Sequence, residues 1–454
     1  MKDLTTGKES RLILQFATPM LLGNIFQQMY NIVDSIVIGN YLGKEALAAV
    51  GASFPFIFLL ISMIIGIASG STIIIAQYFG AKNMEKVKQA IDTLYIFLFF
   101  ASIAVSIIGI SLSGPIFRLI DLPEEVIPQA VTYMNIYIGG IIFAFGFNGI
   151  SAILRGLGDS RTPLYFLVVS TLVNIGLDLL FVIVFKWGIA GVAIATVISQ
   201  AGAFITAVIY LNRTHEVVQL SSFRLIFDRE IFRQSLRIGL PTGLQQWFVS
   251  IGMLALFRIV NVFGTPAAAA YTIVMRIDSF ASLPAMNFAA ALSSFVGQNL
   301  GAKKPSRVRH GMQATIMMTS IISVSVSILA VIFRTQLMLL FTKDPEVVRI
   351  GEDYILIVSF FYIIFSTMFV INGTLRGAGD TLIPMFITLF SLWVIRIPLS
   401  WYLSTEIGII GIWWGTPIAW FFGMTLSYAY YRTGKWRTKA VVRHSSDEVQ
   451  QEPQ

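Results

Sequence analysis

Stretches of twenty residues or more without one charged side chain recur along this chain. About twenty residues of helix cross the roughly 30 Å hydrocarbon core of a bilayer. The clearest are Ala46 to Ala81, Thr93 to Phe117, Val126 to Leu154, Trp187 to Asn212, Ile238 to Phe257, Ser279 to Ala302, Gly311 to Phe333, Tyr354 to Leu375 and Ile407 to Tyr431. Three further spans, Leu12 to Ile38, Pro163 to Phe185 and Leu382 to Leu403, are each interrupted by a single charge. Lipid offers no partner to backbone N–H and C=O groups, so such segments must be helices. The expected fold is all-α and polytopic, with twelve transmembrane helices. Composition agrees: 12% of residues are charged, about half the usual share for a soluble domain.

The 32 Lys and Arg residues test the count of spans, because loop cations gather on the cytoplasmic side. Twelve spans place 23 of them on one side: the N-terminus, Lys82/Lys86/Lys88, Arg155/Arg161, the connector from Arg213 to Arg237, Lys303/Lys304/Arg307/Arg309, Arg376 and the tail from Arg432 to Arg443. Six lie on the other side, namely Lys44, Arg118, Lys186, Arg334, Lys343 and Arg349. Both termini are therefore expected to be cytoplasmic. The net charge of +8 then reports topology, and nucleic acid is not an expected partner. The absence of Cys excludes disulfides, thiolate metal sites and cysteine nucleophiles. The polar N-terminus has no small-residue cleavage site and does not read as a removable signal peptide.

A duplication organises the spans. Leu154-Arg155-Gly156-Leu157-Gly158-Asp159, followed by Pro163, returns 221 residues later as Leu375-Arg376-Gly377-Ala378-Gly379-Asp380, followed by Pro384. The same offset sets Gln77-Tyr78-Phe79-Gly80-Ala81-Lys82 on Gln298-Asn299-Leu300-Gly301-Ala302-Lys303 and Tyr133 on Tyr354, and one residue less sets Thr196 on Thr416. Two six-helix bundles are expected: 1–212 and 238–431, joined by a connector over 213–237 and followed by a basic, polar tail over 432–454. Six is even, so the halves share one orientation and are related by a pseudo-two-fold axis along the membrane normal. This organisation points to a transporter. The repeated Gly, Arg and Asp loops read first as tight turns and helix caps, with gating as the alternative.

An ionised side chain at mid-bilayer costs at least about 2.5 to 3.5 kcal/mol on insertion scales. Only Asp34, Asp178 and Asp278 among the acids, and Arg258, Arg276 and Arg396 among the bases, fall well inside the spans. At about 1.5 Å per residue, Asp34 lies roughly 9 Å below the outer boundary, and Asp178 and Thr196 roughly 12 Å below it. Asn174 precedes Asp178 by four residues and shares its helix face; Tyr30 and Asn31 precede Asp34 by four and three. Two carboxylates with amide and hydroxyl neighbours can share a proton or hold a small hard cation such as Na⁺. The same spacing also suits a structural hydrogen-bond network. In the second half, Leu399 and Ile395 stand opposite Asp178 and Asn174, and Ala255 or Leu256 opposite Asp34. The two halves therefore cannot share an ion site. Asp278 is expected to form a structural ion pair with Arg258 or Arg276, and Arg396 has no evident partner.

Pro19, Tyr30 and Asp34 on the first helix, Asn174 and Asp178 on the fifth and Thr196 on the sixth, together with the repeated loops, resemble the multidrug and toxic compound extrusion (MATE) transporters from Ala17 to Tyr431. The resemblance implies two bundles that open a central cleft alternately to each side and export amphipathic or cationic drugs in exchange for H⁺ or Na⁺. It further implies a cation site at Asp34, Asp178, Asn174 and Thr196, with Tyr30 in the same network and a bend of the first helix at Pro19. The tenth helix, with Phe360, Phe361, Phe365 and Asn372, carries no interior acid. That departure favours the DinF-like branch, which couples through the first bundle, over the NorM-like one.

For the drug cavity, Gln27, Asn148 and Gln200 are the candidates, because polar side chains avoid lipid; packing between helices is the other reading of each. The expected partners are small-molecule drugs and membrane lipid, in a monomer of the cell membrane. No cofactor is expected beyond the coupling ion, H⁺ or Na⁺. A flippase of lipid-linked oligosaccharides is the alternative that Arg258, Arg276 and Arg396 suggest. An enzyme is not expected: His215, His310 and His444 fall outside the spans, and no Gly-x-Ser-x-Gly, His-Glu-x-x-His or ATP-binding Gly-x-x-x-x-Gly-Lys-Ser/Thr sequence lies among them.

Overall fold

The computed structural model describes residues 2–120, 122–214 and 225–442. Part of the expected connector, with His215, and the end of the tail, with Arg443 and His444, lie outside them. The first half contains α1 (Glu9–Tyr41), α2 (Lys44–Gly80), α3 (Met84–Leu119), α4 (Ile127–Gly139), α5 (Ile141–Gly156), α6 (Arg161–Leu179) with a π turn over Leu180–Val184, and α7 (Gly188–Thr214). The second contains α8 (Arg229–Asn261), α9 (Thr265–Gly301), α10 (Pro305–Ile332), the short α11 (Arg334–Leu339), α12 (Pro345–Ser359), α13 (Tyr362–Gly377), α14 (Leu382–Leu389) with a π turn over Phe390–Arg396, α15 (Ile397–Ile407) and α16 (Ile409–Arg432).

Nine of the described helices are long and apolar enough to cross a membrane, or eleven when each sharply bent pair forms one span. α1, with 33 residues, has the length of a span but is not among these. The outward faces are apolar, as lipid contact requires. On α3, for example, Phe100 and Ile107 are 65% and 63% exposed.

The duplication is visible in the backbone. The α4/α5 pair bends by 49° at Gly139–Gly140, and the α12/α13 pair by 53° at Phe360–Phe361, 221 positions on. A Cβ on Gly156 would lie 2.9 Å from the Thr72 carbonyl oxygen, and one on Gly377 would lie 2.4 Å from that of Ser293. Both contacts again differ by 221. The second Gly of each loop, Gly158 or Gly379, has φ of +81° or +91°, and Lys82 and Lys303 share φ near +58°. The repeated loops are thus turns and close helix contacts. Asp159 accepts the Arg161 and Thr162 N–H groups at 3.0 and 3.1 Å and so caps α6, whereas Asp380 instead accepts the Tyr430 hydroxyl at 2.5 Å.

Two compact units form, one of residues 1–2 and 22–243, the other of residues 3–21 and 244–454. Their limits differ from those of the sequence repeat, for reasons visible in each unit. In the second, Leu12, Ile13, Phe16 and Ala17 of α1 are buried in one core with Phe288, Leu292, Phe295, Ile371 and Leu375. The segment before α1 is held there as well: Leu4 N–H donates to Gln298 at 2.9 Å, Asn299 donates to the Leu4 carbonyl at 3.1 Å, and Arg307 pairs with Glu9 at 2.9 Å. In the first unit, the opening of α8 lies backbone to backbone on α2. A Cβ on Gly66 would stand 2.6 Å from Gly239 O, and one on Gly70 would stand 2.7 Å from Gly239 N. Pro19 and Pro241, each inside a continuous helix, precede the two changes of unit by only a few residues.

Asp228 starts α8. Its carboxylate accepts the Glu230 and Ile231 N–H groups at 2.9 and 3.0 Å and the Lys86 ammonium at 3.0 Å. Burial pushes this carboxyl up, but the Ile231 N–H, the Lys86 ammonium and the Glu230 N–H outweigh it and hold the group below the usual carboxylate range. Its stabilising effect is therefore present above the unfolded value of about 3.9 and fades as pH falls through the lower folded value. Asp228→Ala should cost about 0.5–2 kcal/mol, as the loss of an N-cap does. A thermal-unfolding series should show the gap between wild type and variant at pH 7 and its narrowing below about pH 4.

Candidate functional site

The first unit gathers two carboxylates, an amide and a threonine at one place. Asp34 on α1 and Asn174 and Asp178 on α6 are 9%, 2% and 1% exposed, and Thr196 of α7 is buried beside them. With its amide nitrogen toward α6's own carboxylate, Asn174 donates to Asp178 Oδ2 at 3.0 Å, and its oxygen accepts the Thr196 N–H at 3.1 Å. The spacing of four makes the first of these bonds possible. Thr196 Oγ1 gives its single proton to the Val192 carbonyl at 3.1 Å. In its 3.3 Å contact with Tyr30 Oη it is consequently the acceptor, and Tyr30 ties α1 to α7.

Two oxygens remain. Asp34 Oδ1 and Asp178 Oδ1 are buried without a hydrogen-bond partner, and the two carboxylates are close enough to act on one another electrostatically. A buried carboxylate oxygen is ordinarily satisfied, so this pair is where a proton or a cation has something to gain. The carboxylates, the amide of Asn174 and the hydroxyl of Thr196 are chemically suited to either. In this arrangement, however, the amide oxygen and the hydroxyl are already engaged.

Tyr133 and Tyr137 of α4 also belong to the cluster, and the sequence reading did not include them. Their rings stack at 6.2 Å. Tyr133 is within electrostatic reach of Tyr30, Asp34 and Asp178, and Tyr137 is hydrogen-bonded to Gln200. A spacing of four within an uncharged run was the available signal. Of the cavity candidates, Gln200 thus joins the network's edge. Asn148 donates to the Ala144 carbonyl of its own helix at 2.8 Å and is not part of the cluster. Gln27, half-buried, lies one turn before Tyr30 on α1. Pro19 sits within α1, which runs through it unbroken.

In the second unit the expected pairing of Asp278 is not what forms. Both of its oxygens accept tyrosine hydroxyls, from Tyr354 of α12 and Tyr362 of α13, and among the described residues no ion pair joins it to Arg258 or Arg276. Both arginines lie on exposed helix faces. Residues two apart, such as Arg276 and Asp278, point to opposite sides of a helix, which excludes that partner on geometry alone. Arg396, at the end of its π turn, is the buried base among the three, 7% exposed, and acts electrostatically on Asp278.

Comparison with known proteins follows the same two-fold pattern. The MatE family matches the chain twice, over residues 19–180 and 241–402, the copies lying 222 positions apart. The probable multidrug resistance protein YoeA of Bacillus subtilis (strain 168) is 35% identical over 456 residues, covering 97% of this chain and 98% of that protein. The probable multidrug resistance protein NorM of Thermotoga maritima is 28% identical over 444 residues, covering 95% and 94%. Among solved structures, the outward-facing conformation of a multidrug resistance MATE family transporter of the MOP superfamily has the same fold, with a TM-score of 0.90 at 23% identity over 96% of this chain and 98% of that one. With both of its halves matched, this chain belongs to the MatE (MATE) family of membrane transporters.

Proposed function

We propose that the protein is a secondary active multidrug efflux transporter of the cell membrane, acting as a monomer with both termini cytoplasmic, and that protons drive it. The observation that carries this reading is the pair of unpartnered oxygens on Asp34 and Asp178. A proton on either carboxyl removes a charge from a buried oxygen that has no partner. A hard cation such as Na⁺ gathers several oxygen ligands; here the Asn174 oxygen and the Thr196 hydroxyl already hold hydrogen bonds to the Thr196 N–H, Val192 and Tyr30 and keep only one lone pair each. The arrangement supports H⁺ over Na⁺.

Proton entry from outside removes one negative charge from a site shielded from water. That changes which position of α1 is favoured, and the change reaches α7 through the Tyr30–Thr196 contact. Pro19, lacking an N–H, gives α1 its compliant point. The coupling can be no larger than the difference in proton affinity between the two conformations. Amphipathic or cationic drugs are the cargo, as the names of the relatives suggest, and Gln27 and Gln200 are the candidates to meet it.

Efflux of a fluorescent cationic dye from membrane vesicles, driven separately by a proton gradient and by a Na⁺ gradient, tests the coupling ion. The proton gradient should drive efflux and the Na⁺ gradient alone should not. Efflux driven by Na⁺ after the proton gradient is collapsed would contradict the proposal.

A further inference from the structure

The second unit contains an imbalance that the proton site does not use. A buried guanidinium ordinarily spends its five N–H donors on carboxylate or carbonyl oxygens. Arg396 does not: Nη1 reaches only the Met253 sulfur, at 3.9 Å, and Nε has no partner. Asp278, its electrostatic counterpart, has both oxygens taken by Tyr354 and Tyr362. Two more buried donors in the same cluster lack acceptors, Tyr271 Oη and Trp413 Nε1. Their rings stack at 5.9 Å with 4° between planes, and Arg396 is near enough to act on the Tyr271 hydroxyl electrostatically.

Buried donors are nearly always matched by acceptors, so three unmatched ones together need a ligand that accepts. A water molecule accepts two hydrogen bonds but brings no charge to a buried guanidinium. An anionic oxygen pair accepts as well, and it adds the charge that Asp278, held by its tyrosines, does not deliver directly. The π turn Phe390–Arg396 is a second indication, because such turns occur frequently at functional sites. Beside it, Trp393 and Val394 line an apolar groove with Phe248 and Ile251 of α8, the helix that also carries Met253.

We propose that this place binds the carboxylate of an amphipathic molecule, with Arg396, Tyr271 and Trp413 as donors and the molecule's apolar body in the groove. That extends the transporter's cargo to carboxylate-bearing amphiphiles. The inference rests on the efflux reading only in taking the ligand to be cargo.

The test uses purified full-length protein in detergent and two probes, a xanthene dye with a free carboxylate and the same dye as its methyl ester, with affinity read by fluorescence polarisation. Wild type should bind the carboxylate form at least about tenfold more tightly, the scale set by a charge-assisted hydrogen bond. Arg396→Gln should bring that ratio to about one. If Arg396→Gln does not fold, Tyr271→Phe, which keeps the ring and removes one donor, should lower the ratio at least about twofold. A parallel arm titrates sodium acetate at constant ionic strength and follows thermal unfolding. Acetate-dependent stabilisation that Arg396→Gln abolishes, without any preference between the dyes, would assign the site to a free small carboxylate. A preference unchanged in the variants, or the absence of both effects in wild type, would overturn the proposal. No ion gradient enters these measurements, so their outcome is separable from that of the efflux experiment.

Discussion

Replacing Asp34 with Asn should reduce proton-driven dye efflux to that of vesicles lacking the protein, while the variant remains folded in the membrane. Asn keeps the shape of the side chain and loses only its ability to exchange a proton. Since Asp34 Oδ1 has no hydrogen-bond partner, the substitution breaks no bond there. An ionised Asp inside the membrane is costly, up to about 2.5–3.5 kcal/mol at mid-bilayer on insertion scales, so the amide should leave stability unchanged or raise it. Function follows the opposite course. Each 1.4 kcal/mol of lost coupling is tenfold in the balance between conformations, and a complete switch needs about 5.5 kcal/mol. A fall of at least about tenfold in initial rate is therefore the least that losing the proton site predicts. Size-exclusion profile and thermal midpoint should match wild type. Efflux at half the wild-type rate or above would remove Asp34 from the mechanism.

Gly239→Val should fail at an earlier stage, by preventing the first unit from forming. Its Cβ would stand 2.4 Å from Ile67 Cα and 2.6 Å from Gly66 O, both backbone atoms of α2. No rotamer change relieves such a clash, so the cost should exceed the roughly 1–3 kcal/mol typical of overpacking against side chains. Small residues at membrane helix contacts serve this close approach. Gly51, also on α2, is the control, because nothing lies within 4 Å of its Cβ position. Gly51→Ala should be neutral or slightly stabilising, Ala being the better helix former by about 1 kcal/mol. The yield of monodisperse protein after extraction should fall severely for Gly239→Val and stay level for Gly51→Ala. Equal yields would show that α2 and α8 tolerate separation.

Much of this architecture can be read from the sequence because lipid imposes it. Charge-free runs mark the spans, and the offset of 221 that relates the loops also relates the bends at Gly139–Gly140 and Phe360–Phe361 and the contacts of Gly156 and Gly377. The Asn174–Asp178 bond follows from helical spacing alone. Other features depend on how helices meet, which hydropathy does not encode. Phe16 and Leu22 are equally apolar, yet Phe16 lies in the core of the second unit while the first unit begins at Leu22. Tyr354 and Tyr362 are eight residues apart on either side of a 53° bend, so no spacing rule brings both to Asp278. Arg276 is the one part of that expectation that helix geometry already excluded. Tyr133, recognisable as the repeat partner of Tyr354, gave no sign from its uncharged surroundings that it would face two carboxylates.

If protons entering at the Asp34/Asp178 pair drive drug out, drug and proton must bind at each other's expense. That competition is tested most directly by proton release. A saturating cationic dye is added to purified protein in lightly buffered detergent solution near neutral pH, and released protons are counted with a pH indicator. Wild type should release protons in proportion to bound dye, and Asp34→Asn should bind dye and release none. Dye binding to wild type without proton release, or equal release from Asp34→Asn, would contradict the account.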